Sequence, residues 1–436
     1  MSISEQTIII SSKLDSQFIA HSNLLDWKDF LDEASFEIIF DSLPFDHPLY
    51  IVYSSGTTGK PKSIVHSAGG TLIQHIKELQ LHTDISDKDT IFYYTTCGWM
   101  MWNWLISSLS LGATIILYDG SPFFGNGNIL INMIDELKIT VFGTSAKYIS
   151  ALESKNIIPK ALSKFPSLRT ILSTGSPLID KNFNFVYSSW KKDVQLSSIS
   201  GGTDIISCFA LGNPILPVHC GEIQSIGLGM KVESLDNNGK KLINKKGELV
   251  CSSAFPSMPI YFWNDTKNKK YHAAYFERYN KIWCQGDFAM ITKSRGMVIH
   301  GRSDTVLNPG GVRIGTADIY SQVEKFDQVI ESIVIGQNWD YDVRIILFLV
   351  LRDDEVLTKD LKDTICDVIR ENTTPKHVPS KIIQVKEIPR TRSGKIVELA
   401  VKKAVQGEVV DNTSAIANPE CLEYFKNLTE LENRNE

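Results

Sequence analysis

From Pro48 to beyond Trp190, short β-prone runs alternate with amphipathic helical stretches, and this pattern constrains the fold more than any other feature. PLYIVYSS, ATIILY, ITVFGT, LRTILST and VQLSSIS are brief, largely apolar runs that read as strands. GTLIQHIKELQLH, ILINMIDELK and AKYISALESK instead return apolar residues every three or four positions, the period of a helix with one buried face. Strand–helix alternation implies crossover connections, and hence a mainly parallel sheet with helices on its faces. The expected class is α/β. From about Val218 to His300 the pattern turns to strands and turns (GKKLINKKGELVCSS, KIWCQGDFAMITKSRGMVIH), which predicts an antiparallel β subdomain. A polar link, GRSDTVLNPGGVRIG, then leads into a compact α/β unit ending in the helix-like GKIVELAVKKAVQG. The first forty-odd residues are weakly patterned, and the tail after Gly407 reads as partly irregular, interrupted by Pro419.

Composition excludes several classes. A chain of 436 residues is too long for one small core, and 43% hydrophobic with 22% charged residues is the make-up of a soluble globular protein. The net charge of -5, with no basic block, argues against a nucleic-acid binder. Val343–Leu351 is too short to span a bilayer and reads as a buried strand. No basic region followed by a long apolar core opens the chain, so no signal peptide is expected. Seven singly scattered cysteines without a CxxC pair fit free thiols, and the nine histidines show no HExxH spacing. These features point to a cytosolic protein.

The stretch YIVYSSGTTGKPK places Ser54, Ser55, Gly56, Thr57, Thr58, Gly59 and Lys60 directly after a β-prone run. Glycines let backbone N–H groups close on an anion, hydroxyls donate further bonds, and lysine supplies charge. In open α/β sheets, ligands bind at the carboxyl ends of strands. The two glycines lie too close together for a GxxxxGK[ST] loop. A solvated Ser/Thr/Gly turn would have the same composition.

The order S-S-G-T-T-G-K-P-K closely resembles the phosphate-loop signature of the adenylate-forming enzymes, the superfamily of acyl-CoA synthetases, luciferases and peptide-synthetase adenylation domains. Further segments resemble the superfamily's landmarks in the right order across residues 50 to 400. STGSPL is similar to the adenine loop, with Gly175, Ser176 and Pro177 matching. SISGGTD is similar to the Thr-Glu segment, which puts Thr203 at the α-phosphate and Asp204 where most members carry a magnesium-associated Glu. WCQGDF places Asp287 at the ribose, and PRTRSGKI places Lys395 at the adenylation lysine. Within the superfamily, VHSAGGTLIQH, TTCGWMMWNW, LYDGSPF, ILSTGSPL and SISGGTDIISCF resemble the acetoacetyl-CoA synthetase family in particular.

This resemblance implies a two-step reaction. A carboxylate attacks the α-phosphorus of ATP, releasing pyrophosphate, and the CoA thiol then displaces AMP from the acyl-adenylate. Acetoacetate is the implied acid, ATP, Mg²⁺ and CoA the implied co-substrates and cofactor, and lipid synthesis the implied use. Lys395 would reach carboxylate and α-phosphate, and Asp204 would serve the magnesium ion. Arg302 would touch ribose or phosphate, and Arg313 the nucleotide after rearrangement. Asp304 would be the hinge between a domain of residues 1–303 and a small mobile domain of residues 304–436. Gly310 and Gly311 would face the pantetheine arm, and Trp99 would line the acyl pocket, with Trp102 and Trp104 as packing. Read without the resemblance, Lys395 is a solvated turn lysine, Arg302 and Arg313 are surface ion-pair partners, and Asp287 is a β-turn residue.

Two departures from the superfamily stand out. SGGTD lacks the aromatic residue that many members stack on adenine, and Asp204 is one methylene shorter than Glu. Full-length synthetases of this branch carry far more sequence before the phosphate loop than the 53 residues ahead of Ser54. An N-terminally short chain would leave an exposed sheet edge and apolar face. The alternatives are a ligase for acetate or another short acid, and a short chain that binds nucleotide with little activity.

Overall fold

The structure, a computed structural model, describes residues 7–9, 24–26, 39–54, 62–303, 306–307, 309, 314–340, 342–391, 396–410, 413 and 416–432. The chain divides into Met1–Pro44 and Phe45–Glu436. In the first unit, Thr7–Ile9 pairs in parallel with Leu24–Asp26.

The second unit is built around a five-stranded parallel sheet. Its order is Thr114–Ile116, Thr90–Tyr93, Val141–Ser145, Thr170–Thr174, Gln195–Ser198. Side chains alternate across it, as the two-residue period of a strand demands. Phe92, Phe142, Ile171 and Leu196 face one way, into a core shared with Leu130, Ile134, Ile149 and Phe183 of the helices Ile129–Glu136, Ala146–Ser154 and Asp180–Phe185. Ile91, Tyr93, Val141 and Leu172 face the other way, against Leu79, Met101, Trp104 and Leu105. Both faces are thus dry, which explains why these strands read as apolar runs rather than as alternating ones. Gly143 is required at the sheet's centre: a Cβ there would lie 2.1 Å from the Tyr93 ring, whose hydroxyl donates to Thr144 O at 3.1 Å.

Pro48–Ser54 corrects the sequence reading. It is no part of the parallel sheet but pairs antiparallel with Lys62–Ser67, which in turn pairs with Tyr261–Phe262. The seven residues between the first two strands are too few for a crossover, which takes about a dozen. Pro48–Ser54 is a sheet edge on which Leu49, Ile51 and Tyr53 are exposed.

The antiparallel subdomain forms as expected, with strands in the order Lys241–Leu242, Val232–Leu235, Gly247–Cys251, Trp283–Ile291, Met297–Arg302. In the carboxyl-terminal unit, Val329–Trp339 pairs antiparallel with Asp342–Leu351, which pairs in parallel with Lys381–Gln384. Helices Thr316–Val323 and Lys359–Asn372 share a core with one face, through Ile319, Val323, Ile365 and Ile369. Helix Glu398–Val405 shares the other face with Pro419–Phe425, whose Phe425 meets Phe348 edge-on. The tail therefore packs in spite of its irregular sequence.

Candidate active site

Four loops leave the carboxyl ends of the parallel strands on one side of the sheet, where open α/β folds bind ligands. Trp99 follows the strand Thr90–Tyr93 and caps the helix Met100–Ile106. It is half-buried and meets Tyr93 edge-on at 6.0 Å between ring centroids. Gly175, Ser176 and Pro177 follow Thr170–Thr174 and are exposed. Gly175 has φ +95, a conformation favouring glycine, and a Cβ there would touch the Trp99 ring at 3.8 Å. The structure thus brings together the residues expected at the acyl pocket and at the adenine loop. Of the other tryptophans in that segment, Trp104 is fully buried and donates to Glu78 Oε2 at 3.0 Å, whereas Trp102 is only half-buried.

The segment SISGGTD is tied to the neighbouring loop by the Thr174 hydroxyl, which donates to Ile199 O at 2.8 Å. Thr203 and Asp204 sit in the turn between Ser200–Gly202 and Ser207–Leu211. Asp204 Oδ1 accepts from Lys62 Nζ and from Tyr275 Oη, both at 2.5 Å. Burial pushes the Asp204 carboxyl up, but the Lys62 ammonium, these hydrogen bonds and the more distant Arg302 outweigh it and hold the group below its ordinary range. The Tyr275 hydroxyl moves strongly the other way, through burial first and then the Asp204 charge. His66 is buried and its Nε2 lies 3.2 Å from Thr203 O; burial lowers its pKa to about 4, so it faces that carbonyl as a neutral donor.

Asp287 and Arg302 are directly opposed on the paired strands Trp283–Ile291 and Met297–Arg302, with Arg302 Nη1 3.5 Å from Asp287 Oδ1. A β-bulge after Asp287 and positive φ at Gly286 and Gly301 aim this end of the ribbon. Tyr275 links the ribbon to Asp204, because its ring stacks on Trp283 at 3.7 Å. Lys62, Asp204, Arg302 and Asp287, with the neutral Tyr275 hydroxyl, therefore form one polar cluster.

Ser54 pairs with Lys62 where the strands Pro48–Ser54 and Lys62–Ser67 meet, and its Oγ is buried without a hydrogen-bond partner among the described residues. Ser55, Gly56, Thr57, Thr58, Gly59 and Lys60 lie outside the described residues, as do Asp304, Gly310, Gly311, Arg313 and Lys395. Sequence reasoning missed Lys62 and Tyr275 as site residues. Lys62 had a signal, since it ends the hydroxyl-rich stretch, but its partner is 142 residues away. Tyr275, in the helix KKYHAAY, had none.

The carboxyl-terminal unit is held by polar contacts. Lys246 meets Asp318 at 2.5 Å, Lys181 meets Asp327 at 2.7 Å, and Lys147 pairs with Glu331. Arg352 Nη1 donates to Ser154 O at 3.2 Å. No helix among the described residues is long and apolar enough to cross a membrane.

The AMP-binding enzyme family matches residues 6–262, and the AMP-binding enzyme C-terminal domain matches residues 321–395. The chain is 57% identical over 394 residues to the acetoacetyl-coenzyme A synthetase of Rhizobium meliloti (strain 1021), covering 90% of this chain and 61% of that protein. It is 47% identical over 437 residues to the acetoacetyl-CoA synthetase of Gallus gallus, covering 99% of this chain and 64% of the relative. The solved acetoacetyl-CoA synthetase from Streptomyces lividans superposes with a TM-score of 0.87 at 42% identity, over 95% of this chain and 64% of that one. The chain thus spans a little over three fifths of the length of the curated relatives it matches. With a large domain that gathers these loops and a small α/β domain after it, the chain belongs to the AMP-binding enzyme family.

Proposed function

We propose that the chain performs the ATP-dependent ligation of acetoacetate to CoA through an acetoacetyl-adenylate, releasing AMP and pyrophosphate. One observation supports this reading: residues expected from separate motifs are linked in space, Trp99 to Gly175, the Thr174 loop to the segment carrying Thr203 and Asp204, and Arg302 to both Asp204 and Asp287. The identity to proteins named acetoacetyl-CoA synthetase supports the choice of acid.

Adenylation brings a carboxylate to a polyanion, so alignment and charge neutralisation supply most of the rate. Ser54 to Lys60 would hold the leaving pyrophosphate, and Thr203 would donate to the α-phosphate. Asp287 would accept the ribose hydroxyls, with Arg302 beside it on ribose or phosphate. Gly175, Ser176 and Pro177 would border adenine, while Trp99 would close the acyl pocket. A divalent cation fits here: Asp204 is held ionised, and its hydrogen bonds to described residues all go to Oδ1, which leaves Oδ2 as a hard oxygen donor. Mg²⁺, when bound, would neutralise phosphate charge. Lys395 would bring its ammonium to the acid and the α-phosphate. The domain boundary would fall between residues 303 and 304, with Asp304 as the hinge, Gly310 and Gly311 turning toward CoA, and Arg313 reaching the nucleotide. A cytosolic location and a supply of acetoacetyl-CoA to lipid synthesis complete the reading.

Exchange of pyrophosphate into ATP tests it, with acetoacetate, acetate and butyrate as acids and Lys395→Ala as control. Exchange that requires acetoacetate and is lost in the control is the expected result. Exchange with acetate alone would reassign the acid, and none with any acid from folded protein would overturn the reading.

A further inference from the structure

The turn that carries Thr203 and Asp204 ends in a strained residue. Ile206 has φ +46, a left-handed conformation that a β-branched side chain avoids, yet it is fully buried. Strain of this kind persists only where the surroundings impose it. Here the surroundings are one face of the helix Ala68–Ile76 and its continuation Lys77–His82, a π-helical stretch. His75 Nε2 lies 2.6 Å from Ile206 O, and Nδ1 lies 2.8 Å from Ser107 Oγ. Glu78 Oε1 accepts from Ser207 Oγ at 2.5 Å and from Cys208 N at 3.1 Å. Gln74 Nε2 donates to Ser207 Oγ at 2.9 Å. Three helix residues thus grip three consecutive residues immediately after Asp204 and Ile205.

Stability alone is a poor account of this arrangement. Glu78 is completely buried, and a buried carboxylate costs desolvation that an apolar side chain of similar size would avoid. It is satisfied by Lys77 at 3.2 Å, Trp104 at 3.0 Å and the donors of the turn. A carbonyl can only accept, so the His75 Nε2 facing Ile206 O carries the proton. His66 grips the other end of the same turn at Thr203 O. The turn is fixed at both ends by side chains that approach from the fold's interior.

We propose that His75 and Glu78 are positioning residues for adenylation, which lock the Ile206 turn and so set the direction in which Thr203 and Asp204 meet magnesium-bound nucleotide. This rests on the function proposed above. Both side chains are fully buried. They act through the backbone, His75 on Ile206 O and Glu78 on Ser207 and Cys208, beside the turn's own bond from Ile206 N to Thr203 O at 3.3 Å.

The test uses the full chain and the variants His75→Leu, His75→Gln and Glu78→Gln. Calorimetry measures ATP binding with magnesium and with EDTA, and pyrophosphate exchange gives kcat and KM, each corrected for the folded fraction. In His75→Leu, MgATP affinity should fall about tenfold while magnesium-free ATP binds as in wild type, and exchange kcat should fall about ten- to hundredfold. His75→Gln, which can still donate to Ile206 O, should recover most of both, whatever its melting temperature. A His75→Leu enzyme that melts earlier but keeps wild-type kcat and magnesium-dependent affinity would show the grip to be purely structural and overturn the proposal. Wild type that binds MgATP without exchange would defeat the adenylation reading alone, and the magnesium-dependent affinity of the variants would still decide this one. Wild type that does neither overturns both. Should His75→Leu fail to fold, Glu78→Gln decides by the same comparison, and unaltered magnesium-dependent affinity would again overturn it.

Discussion

Removing the Lys62 ammonium should leave the largely buried Asp204 anion with the Tyr275 hydroxyl and the more distant Arg302 but without its nearest counter-ion. The pair is 2.5 Å apart, and the side chains are 28% and 14% exposed. Breaking a buried pair by removing one partner costs about 3–5 kcal/mol, and the partial exposure of Lys62 places Lys62→Met toward the low end, about 3 kcal/mol. The cost must depend on pH. In the wild type the Asp204 pKa is depressed, so its stabilising contribution is present above the unfolded value of 3.8 and is lost as pH falls through the folded one. In Lys62→Met, burial acts without its main opponent and the pKa rises. The deficit should then be largest near neutrality and shrink at acid pH as the carboxyl takes up a proton. Urea unfolding followed by tryptophan fluorescence suits the purpose, because Trp283 stacks on the Tyr275 that shares Asp204. Lys62→Met/Asp204→Asn completes a double-mutant cycle, with an expected coupling of about 2 kcal/mol. Equal destabilisation at both pH values, or additive single effects, would refute the reasoning.

Three further outcomes follow from the same contacts. Since His66 is depressed from 6.5 to about 4, the unfolded chain binds a proton in that interval that the folded chain does not. Stability should fall as pH drops through it, by up to about 3 kcal/mol, and a His66→Asn variant with an equally steep denaturation profile would sink the assignment. Gly143→Ala should cost about 2–3 kcal/mol by overpacking against Tyr93, read as a lowered melting temperature; an unchanged one would mean the strands separate freely. Asp318→Asn removes a partly exposed ion pair with Lys246 and should cost no more than about 1 kcal/mol, yet speed hydrogen exchange in Thr316–Val323. Unaltered exchange there would show that this contact does not hold the unit.

Local periodicity made the helices Ile129–Glu136 and Ala146–Ser154 legible, along with four of the five parallel strands. Thr90–Tyr93 was not legible, although it lies inside the sheet, because four residues followed by YTTCGW give no period to count. Pro48–Ser54 was legible as a strand but not as to its partner, which depends on how short the following loop is. At the site, each motif could be read where chemistry clusters along the chain. Lys62 with Asp204 and Tyr275 with Trp283 are pairs made by folding, and neither residue type carries a local signature of its partner.

The route of the chain through the parallel sheet also sets an order in time. The site's loops leave strands that end at Tyr93, Ser145, Thr174 and Ser198, and its ribbon ends at Arg302. During synthesis, at about 5–20 residues per second, Lys62 therefore waits many seconds for Asp204 to leave the ribosome. Joining the two closes a separation of 142 residues, at an entropic cost of about 4 kcal/mol for a flexible chain. The winding of the sheet removes that cost in stages, one crossover at a time. A nascent chain halted before Gly201 contains every strand of the parallel sheet and still lacks the Asp204 carboxylate for Lys62 to meet.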